Sequence, residues 1–273
     1  MFLSILIPSK RKEGLESFLR TFRANTKNPD DIEIIILIDD AGPQGEYVAY
    51  PDKNITIIHK PPTKPISVGD MFHECYKLAK GDWIFFANDD IKITTFNWDE
   101  LLKEAIAQYP DQMALFWPDD DKFRATLSCF PIVSRKVLEG IKFFPTPYRR
   151  YKVDDTIFHV FPFNRRIFLP QIKCPHTNPI YQKQFNNNVP EDDGAVAHDN
   201  AAWLANVARR DEMKEFFKPV RKNVKVLIGA ATGETPRRAD FYDYMNMLEK
   251  PEGTILMYSH ERSPAAARNQ IIQ

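Results

Sequence analysis

Gly81-Asp-Trp-Ile-Phe-Phe-Ala-Asn-Asp-Asp90 is the stretch that decides the fold. Trp83 to Ala87 is an unbroken apolar run, and Asn88, Asp89 and Asp90 follow it directly. A run that is apolar on both faces reads as a strand buried on both sides, as in a parallel sheet covered by helices. Such sheets bind ligands beyond the carboxyl ends of their strands, which is where these acids fall. Two carboxylates there suit a hard cation such as Mg²⁺ or Mn²⁺, and a cation so held can grip a diphosphate. A solvated Asn-Asp turn is the plainer alternative.

On the amino-terminal side the pattern is regular. Leu3 to Ile7 is a short β-rich run closed by Pro8-Ser9. Leu15, Phe18, Leu19 and Phe22 fall at helical spacing, which predicts an amphipathic helix over Glu13–Ala24. Ile32 to Ile38 is a strand ending in Asp39-Asp40, and Ile55 to His59 is a third. Ser67 is suited to cap a helix bearing Met71, Phe72 and Cys75, with Gly81 as its terminator. A β-α-β opening of this kind implies a parallel sheet with right-handed crossovers.

On the carboxyl side, Asn97 and Glu100 have capping-box spacing before a helix carrying Leu101, Leu102, Ala105 and Ile106. Beyond it the alternation fades. Ala114 to Trp117 and Cys129 to Val133 read as strands, the first running into Pro118-Asp-Asp-Asp121. Ser134 caps a short helix, and Val153-Asp-Asp-Thr156 opens an apolar segment. Arg166 to Ile172 is a strand followed by Cys174-Pro-His176, Thr177 to Asp193 a polar loop, and Asp199 a helix cap. From Val224 the pattern restarts: strand, helix over Arg237–Leu248, strand over Thr254–Tyr258, helix over Ala265–Ile272. The expected division is one α/β domain over 1–220 and a β-α-β-α unit over 221–273, which reads as the start of a second, truncated copy of the fold.

Bulk properties narrow the classes. The chain has 273 residues, 43% of them hydrophobic, so a large core is available. Its 37 basic and 37 acidic residues cancel, which gives no strong nucleic-acid signature. Three dispersed cysteines without a C-x-x-C pair suggest free thiols in a reducing compartment. Cys174 beside His176 lacks the second Cys/His pair of a structural zinc site. No apolar run is long enough to span a membrane, so a soluble cytoplasmic protein is expected.

The order of these pieces resembles the GT-A fold of family-2 glycosyltransferases. The matching residues are Ile5-Leu-Ile-Pro-Ser-Lys-Arg11, Ile34-Ile-Ile-Leu-Ile-Asp-Asp40, Lys80 through Asp90, Val153-Asp-Asp-Thr156 and His176, across residues 1–210. The resemblance implies a metal-dependent, inverting transfer of a hexose from a nucleotide-diphosphate donor to an acceptor hydroxyl. It implies Asp155, with Asp154 second, as the base. Asp90, Asn88 and His176 would hold Mn²⁺ or Mg²⁺. Pro8, Ser9, Arg11, Asp39, Asp40 and Asp89 would bind the nucleotide sugar. A carboxylate after the second strand can accept a base N–H, which favours a UDP- or GDP-sugar; the acceptor is not encoded in any readable pattern. Two departures stand out: Asn88 replaces the first acid of D-x-D, and the downstream pair is Asp-Asp rather than Glu-Asp. Asn88 and the truncated second unit leave open a catalytically inactive nucleotide-binding or assembly module. A nucleotidyltransferase fits less well, because Ser9-Lys-Arg-Lys-Glu-Gly14 is basic but has a single glycine to cradle a triphosphate.

Overall fold

The computed structural model describes residues 1–9, 12–39, 52–60, 67–176, 194–218, 227–231 and 255–259. The chain divides into two compact units, Met1–Lys218 and Pro219–Gln273.

The first unit is built on a seven-stranded sheet. Its strands are β1 (Leu3–Ser9), β2 (Ile32–Asp39), β3 (Ile55–Lys60), β4 (Trp83–Phe86), β5 (Leu115–Asp119), β6 (Ile132–Ser134) and β7 (Arg166–Lys173), in the order β3-β2-β1-β4-β6-β5-β7. β1 to β4 are mutually parallel where they pair, and β5 is parallel to β7. β6 is antiparallel to both of its neighbours, β4 and β5. Helices α1 (Lys12–Asn25), α2 (Val68–Leu78), α3 (Trp98–Ala107), α4 (Arg135–Gly140), α5 (Val153–Val160), α6 (Ala195–Ala205) and α7 (Val207–Glu215) complete it.

The sheet is apolar on both faces because its strands lack the polar alternation of a half-exposed strand. Leu3, Ile5, Ile7, Ile34, Ile36 and Ile38 point to one side, where Leu15, Phe18 and Phe22 of α1 and Trp98 and Leu102 of α3 cover them. Leu6, Ile35, Leu37, Ile84 and Phe86 point to the other, against Met71 and Phe72 of α2, Val137 of α4, Ile157 of α5 and Met213 of α7. Each fully buried side chain of this size contributes about 1.5–3 kcal/mol, so the register of the central strands is strongly specified.

The amino-terminal edge of the sheet is pinned by one buried carboxylate. Glu33 accepts the Ser4 hydroxyl at 2.6 Å and the Gly81 N–H at 3.2 Å, and the Lys80 N–H also donates to it. Gly81 does not end α2, whose cap is Ala79. It is the point where the chain passes β1 so closely that a Cβ would stand 2.5 Å from the Ser4 nitrogen. Ser67 and Ser134 cap α2 and α4 as their sequence positions suggest, accepting N–H groups at 3.0 and 3.1 Å.

Two expected caps are replaced by tertiary contacts. Asn97 precedes α3 with φ 54° and makes no side-chain cap. Its neighbour Asp99, fully buried, instead accepts the N–H groups of Lys27 and Asn28 at 2.9 Å each and fastens the end of α1 to α3. Asp199 lies within α6, not ahead of it, and binds the backbone of residues 149–151. The expected loop Thr177–Asp193 lies outside the described residues.

In the second unit β8 (Leu227–Ala231) and β9 (Ile255–Ser259) form a parallel pair. The two helices expected there fall outside the described residues.

Candidate functional site

The carboxyl ends of β1, β4, β5 and β7 carry the polar residues that the sequence singles out. β1 ends at Ser9 and β4 runs out through Ala87 into Asn88, Asp89 and Asp90. Ser9 Oγ donates to Asp89 Oδ2 at 3.0 Å. Asp89 and Asp90 are 4% and 5% exposed, so this is not a solvated turn. Gly14 of α1 lies against the Asp89 carbonyl. Ile91 then pairs with His176 in an antiparallel bridge, and the Lys92 N–H donates to the Pro175 carbonyl at 3.2 Å. The chain leaving β7 therefore runs beside the chain leaving β4, which sets His176 next to the Asp90 segment.

His176 faces a second group. Its Nε2 stands 3.5 Å from Asp120 Oδ2, and its ring packs on Phe130 with centroids 4.7 Å apart. Asp120 follows β5 in a tight turn. Its Oδ1 accepts the N–H groups of Lys122, Phe123 and Arg124 at 3.2, 2.9 and 2.7 Å. Burial alone would raise its pKa, but His176 and these N–H groups together hold it below the ordinary carboxylate value. Asp119 beside it is taken by Lys173 and Arg124. The Cys129 sulfur, the Asp120 carboxylate and the His176 ring lie within 4.8 Å of one another.

Asp154 and Asp155 occupy the first turn of α5, at the positive end of its dipole. The Asp155 N–H donates to Asp154 Oδ1 at 2.9 Å, and Lys152 Nζ lies 3.4 Å from Asp155 Oδ1. Burial, followed by the charge of Asp155, pushes the Asp154 carboxyl up to about 7. The Cys129 thiol is driven far above its usual value, first by burial and then by the charges of Asp154, Asp120 and Asp155. The charges of Asp154 and Asp155 therefore act on the same Cys129 whose sulfur lies with Asp120 and His176.

Of the residues expected to bind nucleotide sugar, Pro8, Ser9 and Asp89 stand at the ends of β1 and β4. Asp39 is the last residue of β2, described here by its backbone, while Arg11 and Asp40 lie outside the described residues. Asn88 is half-buried ahead of Asp89. Sequence reasoning undervalued Asp120 and did not connect Cys129 with His176. The available signal was positional: Pro118-Asp-Asp-Asp121 ends a strand just as Ala87-Asn-Asp-Asp90 does.

No protein-family model matches the sequence, and a comparison with curated proteins finds no match. Solved structures do match. Residues 1–349 of TarS from S. aureus, in complex with UDP-GlcNAc, superpose with a TM-score of 0.51 at 14% identity, over 80% of this chain and 72% of that one. GalNAc-T7 with UDP, GalNAc and Mn²⁺ gives a TM-score of 0.50 at 11% identity, over 64% of this chain and 43% of that one. The mostly parallel sheet with helices on both faces, and its likeness to these enzymes, identify the architecture: the chain carries the GT-A fold of glycosyltransferases.

Proposed function

We propose that this chain is a metal-dependent, inverting glycosyltransferase that moves a hexose from a nucleoside-diphosphate donor to an acceptor hydroxyl. The observation that carries the reading is the Ile91–His176 bridge, which sets His176 beside Asp89–Asp90 beyond the carboxyl ends of the strands of a GT-A sheet. The charges of Asp154 and Asp155 felt at Cys129, which lies with His176, support an acidic pair nearby to act as base. TarS is seen with UDP-GlcNAc and GalNAc-T7 with UDP and Mn²⁺, which favours a uridine donor here.

The residues after β4 fit a hard cation. Asp90 brings a buried carboxylate, Asn88 a neutral amide oxygen and His176 a ring nitrogen from the adjoining chain. This is a donor set suited to Mn²⁺ or Mg²⁺. A cation held there would offset the charge that develops on the departing diphosphate. Asp89, fixed by Ser9, shapes the floor of the donor site, with Pro8, Ser9, Arg11, Asp39 and Asp40 orienting the nucleotide. The acceptor hydroxyl loses its proton to the Asp154–Asp155 pair as it attacks the anomeric carbon. A single direct attack inverts that carbon.

Donor and base belong to a domain spanning residues 1–220 in this reading, and the unit over 221–273 has no part in the chemistry. Among the described residues no helix is long and apolar enough to cross a membrane. Cys75, Cys129 and Cys174 are free thiols, which supports a soluble enzyme in the cytoplasm.

The test is thermal unfolding with a panel of nucleoside diphosphates, with and without Mn²⁺. Ligands that bind the native state raise the midpoint by mass action. The expected result is a shift with UDP that needs Mn²⁺ and vanishes in Asp90→Ala. No shift with any nucleotide in the presence of Mn²⁺ overturns the donor site and favours a non-catalytic module, to which Asn88 already points.

A further inference from the structure

We propose that Asp120, Cys129 and His176 form a binding site for a zinc-class cation, made of one carboxylate oxygen, one thiolate and one imidazole nitrogen. The residues come from separate segments: the turn after β5, the approach to β6 and the exit of β7. Their ligand atoms nevertheless lie within 4.8 Å of one another. Ligands at tetrahedral angles on zinc, with bonds of about 2.0–2.3 Å, stand about 3.3–3.7 Å apart. His176 Nε2 and Asp120 Oδ2, at 3.5 Å, already have that separation.

The two oxygens of Asp120 are engaged differently. Oδ1 is saturated by three backbone N–H groups. Oδ2 is buried, in a residue only 2% exposed; it faces His176 Nε2 at 3.5 Å, and among the described residues no donor meets it at close hydrogen-bond geometry. A buried carboxylate oxygen is costly to leave without a donor or a cation. Oδ2 is aimed at His176, and the third corner is a sulfur. Cys129 and His176 keep partial exposure, which leaves a path for an ion.

The donor set decides which ion. Thiolate and imidazole favour zinc or cobalt over magnesium and manganese. Binding forms a metal–sulfur bond and releases the Cys129 thiol proton to solvent. The carboxylates of Asp154 and Asp155 add negative field at the sulfur, and three protein ligands leave a fourth position open. The site is defined without Asp90, so it stands whether or not sugar is transferred. It shares His176 with the donor-site metal, and its Nε2 can serve one ion at a time.

Cobalt(II) titration of the metal-free full-length chain, followed by absorption, tests the site. One equivalent is expected to bind with thiolate-to-cobalt charge-transfer absorption, and Zn²⁺, but not Mg²⁺ at the same concentration, displaces it. Cys129→Ser abolishes the charge-transfer band, while Cys174→Ser and Asp90→Ala keep it. Asp120→Asn preserves side-chain shape and the Oδ1 contacts, and weakens Co²⁺ binding roughly tenfold or more. Bound cobalt without charge transfer, a band that survives Cys129→Ser, or unchanged affinity in Asp120→Asn overturns the site. The Asp120→Asn arm decides the matter even if Cys129→Ser fails to fold. A chain that responds to UDP and Mn²⁺ but lacks the cobalt–thiolate band keeps the transferase reading and loses this one.

Discussion

The Ser9 hydroxyl donates to the Asp89 carboxylate across 3.0 Å, joining the ends of β1 and β4. Both residues are buried, at 1% and 4% exposure, so the bond forms in a poorly hydrated setting where its loss is not made good by water. Ser9→Ala is expected to destabilise the chain by about 1–3 kcal/mol, the cost of removing a donor from a buried acceptor. Because Asp89 also belongs to the proposed donor site, nucleotide affinity should fall with it. Chemical denaturation and UDP titration of the same variant measure both, and wild-type values in both would remove Ser9 from the site.

Asp154 makes activity and stability run in opposite directions with pH. Its carboxyl titrates at about 7, raised by burial and by the Asp155 charge. Asp155 is the first choice for the base of the proposed transfer and Asp154 the second; where Asp154 fills the role it must be deprotonated to act, and transfer should rise with pH through that value and then level. Stability has the reverse slope. The folded state holds the Asp154 proton at pH values where an unfolded aspartate has lost it, so stability falls as pH climbs from the ordinary carboxylate range toward 7. Asp154→Asn should lower kcat by about 10²–10⁴-fold and flatten that decline. In Asp155→Asn the midpoint of any remaining Asp154 titration should drop, since one of its raising charges is gone. A pH–rate profile of wild type with no inflection near 7 would argue against Asp154 as the base.

The central strands were legible because nothing in them conflicts. Leu3–Ile7, Ile32–Ile38 and Trp83–Ala87 are apolar on both faces and each ends in polar residues, so period, length and turn chemistry agree. β6 was harder to read. Three residues, Ile132–Ser134, carry its antiparallel pairing to both neighbours, and so short a run has no periodicity to detect. Asp199 was misread because its partners lie about fifty residues earlier in the chain; a carboxylate near a helix start resembles a cap until the tertiary contact is seen. Asp120, Cys129 and His176 share no sequence spacing at all. The fold assembles them from three irregular segments: the family resemblance marked His176 beforehand and the strand-end position marked Asp120, but nothing in the sequence joined either to Cys129.

Asp199 organises the segment that leads into α5. Its carboxylate accepts the N–H groups of Arg149, Arg150 and Tyr151 at 2.8 Å each, and His198 Nδ1 lies 2.8 Å away. Burial acts to raise its pKa, but Arg149, His198, Tyr151 and Arg150 together outweigh it and hold the value below that of an ordinary aspartate. The stabilisation is therefore complete above the unfolded value and is lost as pH falls through the lowered folded one. Asp199→Ala removes the acceptor of three part-buried N–H groups and leaves its own buried position empty, and should cost on the order of 3 kcal/mol. For a domain of this size that is about 6–12 °C in Tm. The loss should shrink at acidic pH, where wild type has also lost the charge. A pH-independent difference between the two would show that packing, not the carboxylate, is what Asp199 supplies.

Gly14 gives the sharpest opposition between local and tertiary preference. It lies in α1, where replacing glycine by alanine ordinarily gains about 1 kcal/mol. Here the added Cβ would stand 2.3 Å from the Asp89 carbonyl oxygen. That oxygen belongs to the backbone, so relief requires moving α1 or the end of β4, not rotating a side chain. Overpacking of this kind costs about 1–3 kcal/mol, enough to reverse the helix gain. Gly14→Ala should therefore lower stability, and the displacement falls on the residues that carry Asp89 and Asp90. Nucleotide and Mn²⁺ binding should weaken more than the loss of stability alone explains, which calorimetry of the variant well below its unfolding temperature would measure. A variant more stable than wild type with full nucleotide affinity would mean that α1 does not pack on the Asp89 carbonyl as described.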